Sequence, residues 1–291
     1  MGLDNWDEIR TAYQVARIGT VSGAAAEMGV HHATVIRHVD SLEERLGVKL
    51  FQRHARGYTP TEAGQDLLKV AQVTADQFDQ LVGRMRGKGA AVTGELAVTT
   101  VDPLAPLLMP VLTAFRAEHP ELSVRLLADQ RVLRLEYGEA HVAVRAGGEP
   151  DEPDNIVQKL YVQRSGLYAH RSYLRAHGMP QGDLTGHSFV GPTDDAHRAP
   201  FFRWLRDTQP AESLVFRASS IRSTIEAIQA GAGLGFVPLW LARDDPDLVQ
   251  VLPPQKEWDV SLWLVTHVDL HRTAKVHGFT TRLKEAARTW P

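Results

Sequence analysis

Ser22-Gly-Ala-Ala-Ala-Glu-Met-Gly-Val-His-His-Ala-Thr-Val-Ile-Arg-His-Val, residues 22–39, reads as two short helices joined by a tight turn. Ala24, Ala25 and Ala26 are small enough for a second helix to cross closely, and Gly29 supplies the left-handed backbone that the turn requires. Val30, Val35 and Val39 give apolar anchors between the helices, which leaves His32, Ala33, Ile36 and Arg37 on the outer face. Such a face suits the major groove of DNA, where arginine bonds guanine bidentately and Ala or Ile touches thymine methyls. Two amphipathic helices around an Ala-rich turn also occur in proteins that never touch nucleic acid, so the flanking residues have to decide.

The second helix continues through Leu42-Glu-Glu-Arg-Leu to a C-cap at Gly47, and residues 48–51 follow as an apolar strand. Arg53-His-Ala-Arg-Gly-Tyr is then a basic turn, and Thr59-Pro-Thr-Glu opens another helix. A helix-turn-helix with a basic two-stranded wing is a winged helix, whose wing lies along phosphates. Residues 31–60 hold five cations, Arg37, Arg45, Lys49, Arg53 and Arg56, against three anions, Asp40, Glu43 and Glu44. The whole 291-residue chain carries a net charge of −3, which argues against a uniformly positive protein that coats nucleic acid. An ordinary solvated surface would hold similar charges, so charge alone does not separate the readings.

Across residues 12–64 the chain closely resembles the N-terminal domain of LysR-type transcriptional regulators. The resemblance is carried, in order, by Gly19-Thr-Val-Ser-Gly-Ala-Ala, Val35-Ile-Arg-His-Val, Leu42-Glu-Glu-Arg-Leu-Gly, Leu50-Phe-Gln-Arg and Thr59-Pro-Thr-Glu-Ala-Gly. The family usually opens its recognition helix with Ser-Gln or Ser-Pro-like residues, and His31-His32 stand here instead. That departure bears on which bases are contacted, not on groove reading. The resemblance implies a winged helix-turn-helix over residues 1–60. Ile36 and Arg37 are expected to read bases with His32 and Ala33 beside them, Ser22 and His31 to share that surface, and Arg53, Arg56 and Thr34 to hold phosphates.

Residues 61–88 form one long helical pattern without proline. Leu67, Ala71, Thr74, Phe78, Leu81 and Met85 alternate steps of four and three, a heptad stripe that needs a partner. The stripe either packs inward on its own chain or pairs two subunits. In the resembling family this segment is a linker helix that pairs subunits, which implies a homodimer, extended by family behaviour to homotetramers that bend promoter DNA. Gly87-Lys-Gly-Ala-Ala-Val-Thr-Gly ends the helix in a short hinge.

From residue 94 strands and helices alternate: strands at 96–101, 122–127, 140–145, 167–169, 189–190, 214–218, 234–237 and 260–266, helices at 103–119, 173–177, 200–207, 221–230 and 272–288. This is an α/β architecture of open sheets, which by itself names no function. Gly94-Glu-Leu-Ala-Val-Thr-Thr, Phe115-Arg-Ala-Glu-His-Pro-Glu-Leu, His141-Val-Ala-Val-Arg and Ala230-Gly-Ala-Gly-Leu-Gly-Phe-Val-Pro look like the effector-binding half of the same family. That likeness implies that residues 89–291 form two α/β lobes like those of a periplasmic binding protein, with a small molecule in the cleft between them. Lobe I is expected at about 94–161 and 267–291, lobe II at about 162–266, with crossovers near 158–162 and 266–269.

Open α/β sheets bind ligands at the carboxyl ends of strands, beside helix N-termini that present free amides. This selects Thr99, Thr100, Asp102, Arg145, Thr193 and Ser219, with Ser220 adjacent. Hydroxyls with an arginine suit a carboxylate or other oxyanion, and the family resemblance implies an aromatic or small organic acid as effector. Each also has a plain alternative: Asp102 before Pro103 is placed to cap a helix, as are Ser219 and Ser220, and Arg145 to pair with a surface carboxylate.

The 13 histidines form no His-Glu-x-x-His, and neither Gly-x-Ser-x-Gly nor Gly-x-x-x-x-Gly-Lys-Ser/Thr occurs, so regulation without catalysis, cofactor or metal is expected. The absence of cysteine rules out disulfides, thiol sensing and Cys-based zinc sites. Met1-Gly-Leu-Asp-Asn-Trp-Asp is no basic-then-apolar leader, and no run of about 18 apolar residues spans a bilayer. The expectation is a cytoplasmic protein without a membrane partner. Its implied partners are double-stranded promoter DNA, a small-molecule effector, further copies of itself and, when it activates, RNA polymerase.

Overall fold

The computed structural model describes residues 5–54, 57–85, 92–129, 131–194 and 197–291. The first helix, α1 (Trp6–Ile18), is one that the motif reading assigns no element to. Its signals are nonetheless present: Asn5 accepts the Asp7 amide at 3.2 Å and donates from Nδ2 to Glu8 at 2.8 Å, ahead of the apolar Ile9, Ala12 and Val15. Helix α2 (Val21–Met28) is capped by Thr20, whose hydroxyl accepts the Gly23 amide. Gly29 then turns the chain at φ +66°, and the Val30 amide reaches back to Ala25 O at 3.0 Å. Helix α3 (His32–Leu46) follows, and its Val35, Val39 and Leu42 lock into a core with Ala12, Val15, Ala24, Leu50 and Phe51.

The wing consists of β1 (Phe51–His54) and β2 (Gly57–Pro60), antiparallel from Phe51 opposite Pro60 to His54 opposite Gly57. The strand thus starts three residues later than the 48–51 read from apolar content. The cause is Glu43, whose carboxylate accepts the Leu50 and Phe51 amides and turns residues 48–50 into a connector with Val48 exposed. Gly57, at φ +140°, lets the wing touch the α1–α2 turn: a Cβ there would lie 2.4 Å from Gly19 O, to which the Tyr58 amide donates at 2.8 Å. Thr61 then starts α4 (Glu62–Met85) by accepting the Gly64 amide while its hydroxyl donates to Lys49 O.

Along α4 the expected heptad stripe divides. Leu67 packs inward on the head core, whereas Val70, outside the stripe, is 65% exposed and Phe78 52% exposed. Trp6, 61% exposed, meets Phe78 edge-on at 6.2 Å. Ala71 and Thr74 are half-buried, and the Leu81 and Met85 side chains lie outside the described residues, as does Arg56.

Beyond α4 the chain forms β3 (Gly94–Thr100), a 3-10 turn Asp102–Leu104, α5 (Ala105–Glu118), β4 (Leu122–Ala128), β5 (Val142–Ala146) and β6 (Asn155–Gln163). Lobe II contains β7 (Ser165–His170), α6 (Arg171–His177), β8 (Phe189–Pro192), α7 (Pro200–Thr208) and β9 (Leu214–Ala218), then α8 (Ile221–Gln229), β10 (Gly235–Pro238), α9 (Leu239–Ala242) and β11 (Leu248–Leu252). The chain returns through β12 (Val260–His267) and ends in α10 (Ala274–Ala287). The sheet of lobe I has the order β4-β3-β5-β12-β6, in which β3 is parallel to β4 and β5 while β12 is antiparallel to β5 and β6. Lobe II repeats that plan. Its β8 is parallel to β9, its β7 antiparallel to β10 and β11, and a parallel bridge from Phe189 to Leu234 joins the two sets.

In lobe I, Leu96, Val98, Val144 and Leu264 of the sheet pack on Leu108, Phe115, Phe279 and Leu283 of α5 and α10. Each such burial removes an apolar side chain from water, worth about 1.5–3 kcal/mol before chain entropy is counted. Lobe II packs around aromatic rings, with Phe189, Phe202, Phe236 and Trp258 in one cluster. The lobe boundary differs from the expected division at 266–267. The strand β12 already belongs to lobe I, since it pairs with β6 from Val260 opposite Gln163 to His267 opposite Asn155. Full-length pairing of these strands holds the outgoing and returning chains side by side, so the crossings lie at 163–165 and 252–260.

Candidate nucleic-acid interface and effector cleft

The outer face of α3 is set by what its inner face must bury. With Val35, Val39 and Leu42 turned into the core, His31, His32, Ala33 and Arg37 are exposed and Thr34 is half-buried. Ser22 is exposed in the first turn of α2. Arg37 makes no ion pair or hydrogen bond among the described residues, so its guanidinium is available to a ligand. Ile36, expected to read bases, is half-buried and packs against the head core. His38 also turns inward, with Nδ1 2.9 Å from Thr11 Oγ1 on α1.

The wing cation expected to hold phosphate, Arg53, is paired with carboxylates of its own head. Arg53 places its guanidinium 2.5 Å from Asp40 and 2.8 Å from Glu43, and 5.3 Å from the centre of the Tyr58 ring. Glu43, 2% exposed, also accepts Lys49 Nζ at 2.8 Å and the Leu50 and Phe51 amides at 2.9 and 3.2 Å. Burial pushes the Glu43 carboxyl upward, but the Lys49 hydrogen bond, the two amides and the Arg53 charge outweigh it and hold its pKa below the ordinary value. Together these bonds tie α3 to the wing. Arg45 does the same for α1 through its ion pair with the buried Glu8.

At the proposed cleft, several expected ligand groups are already engaged. The Thr99 hydroxyl donates to Leu127 O and that of Thr100 to Val144 O, both at 3.1 Å and both buried. Arg145 donates to Glu152 at 2.6 Å and Leu133 O at 3.1 Å, the carboxylate pairing that was its plain alternative. Ser220 caps α8 by accepting the Ser223 amide, while Ser219 and Thr193 stay exposed. Asp102 makes no side-chain cap and stands 3.5 Å from Arg222 in the first turn of α8. That ion pair bridges the lobes, and Arg222 is a residue that sequence reasoning missed. Its only local signal is its place two residues after the Ser220 cap.

Among the described residues no group of His, Asp and Glu could hold a metal ion, and no helix is long and apolar enough to cross a membrane.

Comparison with known families places these features together. The sequence pattern of the bacterial regulatory helix-turn-helix protein, lysR family, matches residues 6–65, and that of the LysR substrate binding domain matches residues 89–288. A probable HTH-type transcriptional regulator, LtrA of Klebsiella pneumoniae, is 26% identical over 98% of this chain and 96% of its own. A full-length OxyR variant from Pseudomonas aeruginosa shares the fold with a TM-score of 0.72, at 17% identity over 100% of this chain and 96% of that one. Full-length LysG of Corynebacterium glutamicum, solved with bound effector Arg, aligns with a TM-score of 0.68 at 19% identity, covering 98% of both chains. With a winged helix-turn-helix head followed by two α/β lobes of like plan, the chain belongs to the LysR family of DNA-binding transcriptional regulators, with an effector-binding substrate domain.

Proposed function

We propose that paired copies of this chain read a two-fold-related promoter site, with α3 of each head in the major groove and Arg37 as its principal base contact. The observation that carries this reading is the exposed, unpaired Arg37 on a helix whose opposite face is locked into the core. Ser22, His31, His32, Ala33 and Thr34 border the same surface, and Ile36 contributes the outer part of a side chain otherwise held in the head. Arg53 serves as the brace of the wing. The second copy docks on the apolar face formed by Trp6, Val70 and Phe78, where exposed rings and a branched aliphatic need cover. Dimers of these dimers, RNA polymerase and a cytoplasmic site of action complete the regulatory reading.

The decisive experiment is fluorescence anisotropy on the DNA upstream of its own gene against scrambled DNA, at about 150 mM salt, where phosphate-only binding is weak. Preference for the first establishes sequence reading. Equal weak binding to both counts against it, and unbiased selection from genomic fragments then tests for a remote site.

A small carboxylate between lobes I and II is the effector class in this reading, and it shifts the population of head arrangements. That full-length LysG was solved with a bound effector, Arg, supports a small-molecule effector here. In this chain an incoming carboxylate takes the Arg222 guanidinium from Asp102, loosening the contact between the lobes. In a thermal-shift screen of aliphatic and aromatic carboxylates, the hit is expected to bind about tenfold more weakly to Arg222→Gln and more tightly to Asp102→Asn. Unchanged affinity in both variants would remove Arg222 from the site.

A further inference from the structure

The head, the linker helix and lobe I meet at a hydrogen-bonded junction. The side-chain amide of Gln72, on α4, lies 2.5 Å from Tyr13 Oη on α1 and 3.4 Å from Nε2 of His141. His141 stands just before β5, is 3% exposed, and accepts the Ala97 amide of β3 on Nδ1 at 2.8 Å. A ring nitrogen that accepts carries no proton, so the neutral ring holds its proton on Nε2. Tyr13 Oη donates to Gln72 Oε1, and the other side of the Gln72 amide meets the His141 ring edge. Burial, with Lys275 and Arg125 nearby, lowers the His141 pKa to about 3, so the ring keeps this neutral form in ordinary buffers.

Beside the junction, head and lobe I leave space between them. Ala16, Arg17 and Pro60 on one side and Arg125, Asp129 and Glu139 on the other line an open groove of about 880 Å³. Gly138 lies against the stem of Gln72, since a Cβ there would sit 3.6 Å from its Cγ. The linker is therefore seated on lobe I at Gln72, while the head beyond it borders a gap. Tyr13 is itself a buried part of the head, so a force on its hydroxyl acts on α1 as a whole.

We infer that Gln72 is a positioning residue for DNA reading, setting the angle of the head on lobe I by holding Tyr13 on one side and His141 on the other. The strand that donates to His141 at Ala97 ends at Thr100, three residues on, about 10 Å away at roughly 3.3 Å per residue. On the effector reading proposed above, movement of β3 as the lobes rearrange is delivered through His141 and Gln72 to the head. The positioning role stands without that clause and is tested without effector or DNA.

The absence of cysteine allows a clean distance measurement. Spin labels on Ala26→Cys in the head and Val132→Cys in lobe I, both exposed positions, report the head–lobe distance in the full chain. Dilution with excess unlabelled chain restricts the signal to distances within one subunit. A narrow distribution is expected for the parent, and a broader, shifted one for Gln72→Ala and for Tyr13→Phe, with melting temperatures of the lobes retained. Gln65→Ala, which lines the same groove, should leave the distribution unchanged. Tyr13→Phe keeps the buried ring and loses only the hydroxyl, so it tests the junction even if Gln72→Ala folds poorly. Distributions as narrow as the parent's in both variants would overturn the inference.

Discussion

Glu43→Ala is expected to cost the DNA-binding head about 3–5 kcal/mol, a large share of the about 5–15 kcal/mol that holds a domain folded. The carboxylate is almost wholly buried and receives four donors, and the two that cannot turn to water are the Leu50 and Phe51 amides. A buried amide left without an acceptor costs about 1–3 kcal/mol, whereas Lys49 and Arg53 regain solvent and contribute little to the loss. Amide hydrogen exchange at Leu50 and Phe51 and melting of the head report the effect. A head as stable as the parent's would show that water replaces the carboxylate. The same group gives a pH signature. Because its folded pKa lies below the ordinary 4.5, its contribution is complete above about pH 4.5 and is lost as the pH falls through the lowered value. Acidification should therefore destabilise the parent head more steeply than that of Glu43→Ala.

Arg37→Ala is expected to weaken binding to the specific promoter fragment by about 1–3 kcal/mol, or roughly five- to 150-fold, and to relax preference at one base pair. It should leave the fold intact, because Arg37 is exposed and without a partner among the described residues. Titration of specific and scrambled DNA separates the possible roles. Loss on the specific sequence alone marks a base contact, while an equal loss on both, with a shallower salt dependence, marks a phosphate contact.

The helix-turn-helix was legible because its determinants are local. Small alanines, a glycine at the turn and Val35 and Val39 at helical spacing all lie within 18 residues, although Val30, read as a further anchor, is exposed and the core is completed by Ala12, Val15, Leu50 and Phe51. The start of the wing was misplaced because it depends on Glu43, a side chain seven and eight residues away that takes the last two amides of the apparent strand. Arg53 was read from its charge, and only folding reveals that Asp40 and Glu43 occupy that charge. At the cleft, Thr99 and Thr100 look like ligand hydroxyls in sequence, but neighbouring strands bring carbonyl oxygens to them. Arg222 and Asp102 stand 120 positions apart, and no periodicity links residues at that separation. The strand at 260–266 was found but assigned to the wrong lobe, since apolar alternation reveals a strand without naming its neighbours.

The side-by-side pairing of β6 and β12 has a consequence for how this chain can be rebuilt. Gln163 and Val260 are register partners, so everything between them leaves and re-enters through one pair of adjacent strand ends. Lobe II is topologically a guest in the coding sequence of lobe I. Trp258, packed on lobe II, leaves with the guest. A tight two-residue turn of the Asn-Gly kind could close the gap, turning β6 and β12 into an ordinary hairpin. A host that can be sealed so simply is one into which other guests can be spliced, so lobe II can be exchanged while the strands that face the head stay as they are.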